Sequence, residues 1–496
     1  MTDRRQFLGS AAAFAGALAF PHGLLASGTP NLRFGFLSDV HLCRTPGDMF
    51  SSKASLVRAL AWYRERGVDA IVVSGDLTET GYAHELMDFA ASWNEVFPGN
   101  RAPDGRHVER IFVYGNHDVA DWLEGNYKSD GERRREMICY DMKGHWERAF
   151  GEPFEPAYVK TVNGFAFICA HWPVKEGMKG YHFSAVGTNW PKMTAGAELV
   201  GRIAPTLDPA KPFFYVQHAH PKNSCFGPWA SCGDDGTSTA ALARFPNAVA
   251  LSGHSHYSLT DERSVWQGGF TSVGGGSLAF TWGAYNFREN AVANLWGEAG
   301  KARVRRMPHL QTEKDGRQGS LVSVFDDRIV IERHDFNWGE SLGEDWVIPL
   351  GIGAARPYAY ATRRTTRTAP EFPVGARVAL QVADSEDDVR NPLPRERQLR
   401  VTFPAAEARG GCRTFEYEVR ALAVTDDLDG MVVSTRRALA PDYHLPAVRA
   451  GRRGEVRFPL ADFVPNAGYR FEVRPLECFG KAGRPIVSDI WKHKEA

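Results

Sequence analysis

Cysteine is scarce in this 496-residue chain: seven residues, at 43, 139, 169, 225, 232, 412 and 478. They are too few and too scattered for a disulfide scaffold or a thiolate metal cage. Only Cys225 and Cys232 sit close, inside one loop, where they either pair in an oxidising compartment or stay unpaired. An excess of charge of either sign is also missing, with 59 Lys+Arg against 59 Asp+Glu. A dedicated nucleic-acid or anionic-membrane binder normally carries a basic surplus, so stable nucleic-acid binding is not expected. Beyond the first thirty residues no run is apolar enough to span a bilayer. Internal repeats and low-complexity tracts are absent as well. What remains is globular: 43% hydrophobic, 12% aromatic and 24% charged residues, in a length that suggests two to four domains.

Asp3-Arg4-Arg5-Gln6-Phe7-Leu8-Gly9 precedes an uncharged Ala- and Gly-rich stretch to Ala19, with Ala17-Leu18-Ala19 as one small-residue cleavage site. Residues 1–26 read as a removable targeting segment, too weakly apolar for a permanent membrane anchor. The arginine pair followed by Phe-Leu resembles the twin-arginine export signal. That resemblance implies the twin-arginine machinery as a partner and a periplasmic or extracellular destination.

From Leu32 the chain alternates in an α/β order. Strands are expected at Leu32–Ser38, Ala70–Ser74 and Arg110–Tyr114, and helices at Ser55–Arg66, with Leu56, Leu60 and Tyr63 on one face, and at Ala83–Phe97. Asn163-Gly164 joins two more strands as a hairpin, and strands at Phe213–Gln217 and Ala248–Leu251 follow. The texture then turns to strands with glycine turns until about Gly351. Residues 354–372, rich in Arg, Thr, Ala and Pro without periodicity, read as a linker. Residues 373–496 show alternating strands and no helical period, the pattern of a small β-sandwich.

Five short motifs close predicted strands, where open α/β sheets place ligands. They are Asp39-Val40-His41, Gly75-Asp76, Gly115-Asn116-His117-Asp118, Gln217-His218-Ala219-His220-Pro221 and Gly253-His254-Ser255-His256. Each alone is background; the ordered conjunction is not. Oxygen and imidazole donors without thiolate suit Mn, Fe or Zn, and the set has capacity for two ions. Alternation in Asp39-Val40-His41 and His254-Ser255-His256 would point two ligands the same way from one extended segment.

In this order the motifs resemble the calcineurin-like metallophosphoesterase superfamily over roughly Leu32 to Leu350, in its exported bacterial form. The resemblance implies a four-layer α-β-β-α sandwich over residues 31–353. It implies two divalent or trivalent ions, the first held by Asp39, His41 and His256, the second by Asn116, His218 and His254, with Asp76 bridging both. His117 matches the family's active-site histidine, with Asp118 set to orient its ring. His218 is preferred to His220 because it directly ends the apolar strand, although its spacing to Pro221 departs from the family pattern. The implied activity is hydrolysis of phosphoesters by a metal-bridging hydroxide, on a small-molecule or nucleotide substrate, as phosphomonoesterase or phosphodiesterase. The alternative is a non-catalytic, metal-stabilised surface or binding protein that uses its C-terminal β-sandwich. Thr414–Val419 and Gly468–Pro475 give that sandwich, residues 373–496, a likeness to fibronectin type III domains.

His84 and His171 read as ordinary histidines, Asp234-Asp235 as a turn, and Trp266 and Phe270 as core. Phe226 and Trp229, in the loop between two ligand motifs, are candidates for substrate contact, as are the two acids beside them.

Overall fold

The structure, a computed structural model, describes residues 28–43, 53–119, 141–173, 193–227, 234–281, 316–351, 353–384, 397–407, 413–425, 427, 429–441 and 443–493. The targeting segment 1–26, Trp229 and Cys232 lie outside the described residues.

The chain begins as two crossover units. β1 (Leu32–Leu37), α1 (Lys53–Glu65), β2 (Ala70–Val73), α2 (Ala83–Val96) and β3 (Glu109–Phe112) follow in turn, with the three strands parallel in the order β1-β2-β3. The helices form where apolar residues recur at helical spacing. Leu56, Ala59, Leu60 and Tyr63 of α1 and Leu86, Phe89, Ala90 and Trp93 of α2 are buried in one cluster with Leu37, Ile71, Val73 and Phe112. Each fully buried Leu or Phe contributes about 1.5–3 kcal/mol, so this face holds both helices on the sheet. Tyr63 adds a hydroxyl that donates to Phe36 O at 3.1 Å.

Next come α3 (Met142–Phe150), β4 (Ala157–Val162), β5 (Phe165–Ala170), α4 (Thr194–Ile203), β6 (Phe213–Val216), α5 (Thr237–Leu242), β7 (Ala248–Ser252), β8 (Val265–Gln267) and β9 (Thr271–Gly274). These strands form a second sheet, β4-β5-β6-β7-β9-β8, with β5, β6, β7 and β9 mutually parallel. The β4–β5 turn has Asn163 at φ 50° and Gly164 at φ 80°, the two positive values that a tight Asn-Gly hairpin requires. β10 (Gln318–Val324), β11 (Arg328–Asp335), β12 (Glu340–Ser341) and β13 (Trp346–Pro349) return to the first sheet, β10 pairing antiparallel with β1. α3 and α4 were not anticipated. Each carries internal glycine, Gly144 in one and Gly196 and Gly201 in the other, which weakens the helical signal.

Phe34, Phe36 and Val72 of the first sheet and Phe167, Phe214 and Val249 of the second belong to one buried cluster. Phe34 meets Phe214 edge-on at 4.9 Å and Phe167 at 5.4 Å. The other face of the second sheet buries Ile168, Tyr215 and Ala250 with Leu199 and Val200 of α4 and Phe270; Trp266 packs against them. Trp266 and Phe270 are therefore packing residues.

α6 (Tyr360–Thr366) falls inside the segment that reads as a linker, where the sequence shows no helical period. That segment is docked: Tyr358 and Arg363 are buried, and Glu262 accepts Arg363 Nη1 at 2.7 Å as well as Arg367. Nothing in the local sequence shows this docking, because the partner carboxylate lies about a hundred residues away. Beyond it, β14 (Ala379–Asp384), β15 (Arg397–Pro404), β16 (Thr414–Val424), β17 (Val432–Leu439), β18 (Arg453–Pro459), β19 (Gly468–Glu477), β20 (Ile486–Val487) and β21 (Trp491–Lys492) build a region of sheets without α-helix among the described residues. The orders are β14-β15-β18 and β17-β16-β19-β20, with β21 on β19. Val401 and Phe403 from one sheet and Tyr417, Val419, Phe471 and Val473 from the other share a third core.

His171 behaves as an ordinary core histidine. Its Nδ1 accepts from Tyr114 N at 2.9 Å, and its ring packs among Tyr114, Trp146 and Phe154. Burial pushes its pKa down to about 3. The folded value lies below the unfolded one of about 6.5, so its contribution is present above 6.5 and is lost as pH falls toward 3. Stability should therefore drop with acidity over that window by about 1.4 kcal/mol per pH unit from this group. Urea midpoints between pH 7 and 4 should show a shallower slope in His171→Gln; equal slopes would refute the assignment.

Candidate metal centre

The strand-end motifs converge from both sheets. β1, β2 and β3 lead into Asp39 and His41, Asp76, and Asn116 and His117, while β6 and β7 lead into His218 and into His254 and His256. Backbone bonds zip the first loops together: Asp39 N donates to Gly75 O at 3.1 Å and His41 N to Asp76 O at 2.9 Å.

The Asp39-Val40-His41 and His254-Ser255-His256 segments are not extended. Asp39, His41, Asp76, His254 and His256 all have left-handed backbones, with φ of 51°, 47°, 51°, 69° and 48°. They are five of only nine such non-glycine residues among those described. Each costs about 1–3 kcal/mol and persists only where its surroundings over-determine it. The turns bring side chains inward more tightly than alternation in a strand would. Two glycines make room: a Cβ on Gly75, itself at φ 105°, would lie 2.4 Å from His218 Nδ1, and one on Gly115 would lie 2.2 Å from Asp76 Oδ1.

Two clusters result. In the first, donor atoms of Asp39, His41, Asp76 and His256 all lie within 4.8 Å of one another; in the second, those of Asp76, His218 and His254 do. Asp76 belongs to both. Its Oδ1 accepts from His117 N at 2.9 Å, while Oδ2 faces His218 Nε2 at 3.1 Å and His41 Nε2 at 3.5 Å. In the first cluster His41 Nε2 and His256 Nε2 approach to 3.0 Å, and Asp39 Oδ1 is 3.2 Å from His256 Nε2. In the second the rings of His218 and His254 are 4.9 Å apart. Of the two histidines in the fourth motif, His218 is the one in this cluster. His220 is buried with its Nδ1 unpaired, and burial pushes its pKa down to about 4.

Hydrogen bonds at the far side of each ring fix what faces the centre. His41 Nδ1 meets Glu79 Oε2 at 2.6 Å, His218 Nδ1 meets Ser74 O at 2.8 Å, and His256 Nδ1 meets Phe280 O at 3.1 Å. Carboxylate and carbonyl oxygens only accept, so each Nδ1 carries the proton and each Nε2 offers a lone pair inward. Two inward lone pairs 3.0 Å apart repel unless a cation joins them. Asn116 Oδ1 is a buried polar atom with no hydrogen-bond partner, a costly condition without a ligand. Burial opposes ionisation of Asp39 and Asp76, yet positive charge on the imidazoles facing them, His256 and His218 respectively, holds both carboxyls below the usual range, and a bound cation would supply that charge in place of a proton on Nε2. This is a dense oxygen and nitrogen donor set, anionic at neutral pH, and it fits two hard-to-borderline cations.

His117 stands beside the first cluster, its ring 4.5 Å from that of His41. The part assigned to Asp118, orienting that ring, falls instead to Glu79. His117 Nδ1 lies 2.9 Å from Glu79 O and 3.4 Å from Glu79 Oε2. Burial works against a charged His117, but Glu79 and then Asp76 overcome it and raise its pKa to about 10. Asp118 turns its carboxylate to the chain, accepting from Leu77 N, Thr78 N, Thr78 Oγ1 and Gly115 N at 2.8–3.0 Å. It ties the β2 loop to the β3 loop, and burial followed by Asp76 pushes its pKa up to about 7. Glu79 was missed in the sequence although it lies only three residues after Asp76; nothing in its spacing shows that it reaches both His41 and His117.

Residues 32–258 match the model of the family "Calcineurin-like phosphoesterase". This segment is a calcineurin-like phosphoesterase domain. No curated protein matches the chain. Among solved structures, a dimetal phosphatase from Danio rerio is 13% identical, with 65% of this chain and 100% of that one covered and a TM-score of 0.38. A purple acid phosphatase from yellow lupin (Lupinus luteus) seeds is 14% identical, with 67% and 57% covered and a TM-score of 0.38. A Vps29 complexed with zinc, from Entamoeba histolytica, is 9% identical, with 64% and 99% covered and a TM-score of 0.27.

The remaining singled-out residues of the phosphoesterase domain lie elsewhere. His84 sits at the start of α2, its ring 5.3 Å from that of Tyr82. Asp234 accepts from Lys222 N and Gly236 N, and Asp235 from Thr237 N, so both acids shape the turn into α5. Cys225 is a buried free thiol that reaches Ser264 O and Ser272 O. Phe226 packs on Tyr257 and lies under the Arg263 guanidinium, 4.0 Å from its ring centroid.

Proposed function

We propose that residues 31–353 constitute a dimetal phosphohydrolase acting on a small-molecule or nucleotide phosphoester. The observation that carries this reading is Asp76, one carboxylate facing histidines of both clusters. Asp39, His41, Asp76 and His256 would hold one ion, and Asp76, Asn116, His218 and His254 the other, as Mn, Fe or Zn. When bound, such a pair lowers the pKa of water toward neutrality and draws charge from the phosphoryl oxygens. The chain supplies the rest. Asp39 and Asp76 are ionised before any substrate arrives, and the Nδ1 bonds of His41, His218 and His256 keep their rings aimed. His117, held protonated by Glu79, stabilises negative charge on the phosphoryl group and donates its proton to the departing alkoxide as the P–O bond breaks and water oxygen adds to phosphorus.

Purified protein should bind about two Mn ions per chain and hydrolyse an aryl phosphate or phosphodiester in a panel that also includes cyclic nucleotides and sugar nucleotides. Absence of metal binding would overturn the proposal, and silence across that panel with metal bound would overturn it in favour of a metal-stabilised binding protein.

The finer architecture is part of the same proposal. The buried clusters on both faces of each sheet support the four-layer α-β-β-α arrangement. For residues 373–496, Tyr469 OH accepts from Val464 N at 2.8 Å, a tyrosine tying a late strand to the chain just upstream. This supports the fibronectin type III-like reading. Export by the twin-arginine route rests on Arg4-Arg5, and replacing both by Lys should retain the protein in the cytoplasm; unchanged localisation would refute it. Among the described residues no helix is long and apolar enough to cross a membrane.

A further inference from the structure

We propose that the C-terminal sheet region is a working part of the metal centre: through the backbone of Tyr443 and His444 it clamps the loop that carries His254 and His256. This inference rests on the phosphohydrolase reading of that centre. His254 and His256 are held in left-handed conformations, and the chain before them is fixed by β7 and by the bond from Gly253 N to His218 O at 2.8 Å. The chain after them, residues 257–264, belongs to no sheet, yet it is buried throughout. Its hydrogen bonds show what holds it. Thr260 Oγ1 donates to Tyr443 O at 2.8 Å, and Ser258 Oγ approaches His444 O at 3.4 Å. Gln318, on β10, receives Leu259 N at 2.7 Å through its Oε1 and donates its Nε2 to the same His444 O at 2.6 Å. One residue of the catalytic sheet thus grips the ligand loop and the C-terminal region together.

A second anchor lies beside it. The buried Arg263 guanidinium bonds Asp261 and Tyr257 OH, and it is sandwiched between Phe226, 4.0 Å from the ring centroid, and Phe415 of β16 at 4.5 Å. Phe226 belongs to the loop between the fourth and fifth ligand motifs, and its N–H reaches Arg263 O and Tyr360 OH. Both loops that leave the second sheet beside the centre are therefore closed from the C-terminal side. A region that served only as a docking or binding module would have no need to bury its carbonyls two to four residues from a metal ligand.

Thr260 and Ser258 are accordingly positioning residues. In full-length protein, Ser258→Ala/Thr260→Val should weaken Mn binding about tenfold by titration calorimetry, as expected for two lost hydrogen bonds. It should lower kcat for an aryl phosphate at limiting Mn, and leave KM near wild type once Mn saturates. Thr260→Ser, which keeps the hydroxyl, should restore affinity. Arg449→Met cuts a contact between the same regions that does not involve the ligand loop, where Arg449 Nη2 lies 3.6 Å from Glu340 Oε1, and should leave Mn affinity unchanged. Hydrogen exchange of amides 253–265 reads the clamp without metal or turnover: it should rise in the double variant, or in the milder Thr260→Val alone, and not in Arg449→Met. Unchanged exchange and Mn affinity in the double variant, or equal losses in Arg449→Met, would overturn the clamp. A wild-type protein that binds no Mn would overturn the phosphohydrolase reading, leaving the exchange comparison to judge the clamp separately.

Discussion

Asp76→Asn should abolish turnover, lowering kcat/KM by at least about 10³-fold, and should reduce Mn stoichiometry from about two per chain to one or fewer. The amide is nearly the same size, so the backbone turn at φ 51° and the bond from His117 N to Oδ1 can survive. What is lost is the negative charge at the point where His218 Nε2 and His41 Nε2 converge from opposite sheets. Those imidazoles keep their inward lone pairs, now without the carboxylate between them. Calorimetry with Mn and steady-state rates on an aryl phosphate check both parts. A variant that retains two ions and more than a tenth of the activity would remove Asp76 from the shared position and, with it, the dimetal assignment.

Glu79→Gln should have the next largest effect, a loss of about 10- to 100-fold in activity, the range typical when a group that orients a metal-ligating histidine is removed. Glu79 acts on two histidines at once, through Oε2 to His41 Nδ1 and through its carbonyl and carboxylate to His117. Glutamine keeps an acceptor for His41 but removes the charge. The pH dependence separates these roles. Burial favours neutral His117, and the Glu79 charge is the leading influence that holds its pKa at about 10. Without that charge the pKa falls, so proton donation is lost at lower pH and the alkaline limb of kcat should move toward neutrality. Asp118→Asn should leave that limb in place, because Asp118 is engaged with backbone amides of the β2 and β3 loops. An unshifted limb in Glu79→Gln would refute the pairing.

The α/β alternation was legible because it depends on local pattern. The buried faces of α1 and α2, the strands at residues 32, 70, 157, 165, 213 and 248, and the Asn163-Gly164 turn all carry their own signal within a few residues. α3 and α4 lacked it, since internal glycines dilute a short helix. The docking of the linker was not legible for a different reason: Arg363 is buried and Arg367 partly covered only because Glu262 is brought to them by the fold. His218 could be preferred to His220 from the strand it ends. The partner of His117 could not be chosen, because Asp118 is adjacent in sequence and Glu79 is adjacent only in space.

The sequence by itself determined the donor chemistry: two aspartates, an asparagine and a set of histidines, each placed just past an apolar strand and beside glycines that leave room for close approach. Tertiary structure alone decided how they meet. The phenylalanine-rich core between the sheets brings the ends of β1, β2 and β3 against those of β6 and β7, so that one carboxylate faces ligands from both. It also decided that the five candidate donors at left-handed φ adopt strained turns rather than extended strands. Strain of that kind is sustained by bonds from residues distant in sequence, Glu79, Phe280 O, Gln318 and the carbonyls of Tyr443 and His444 among them, and no local pattern encodes it.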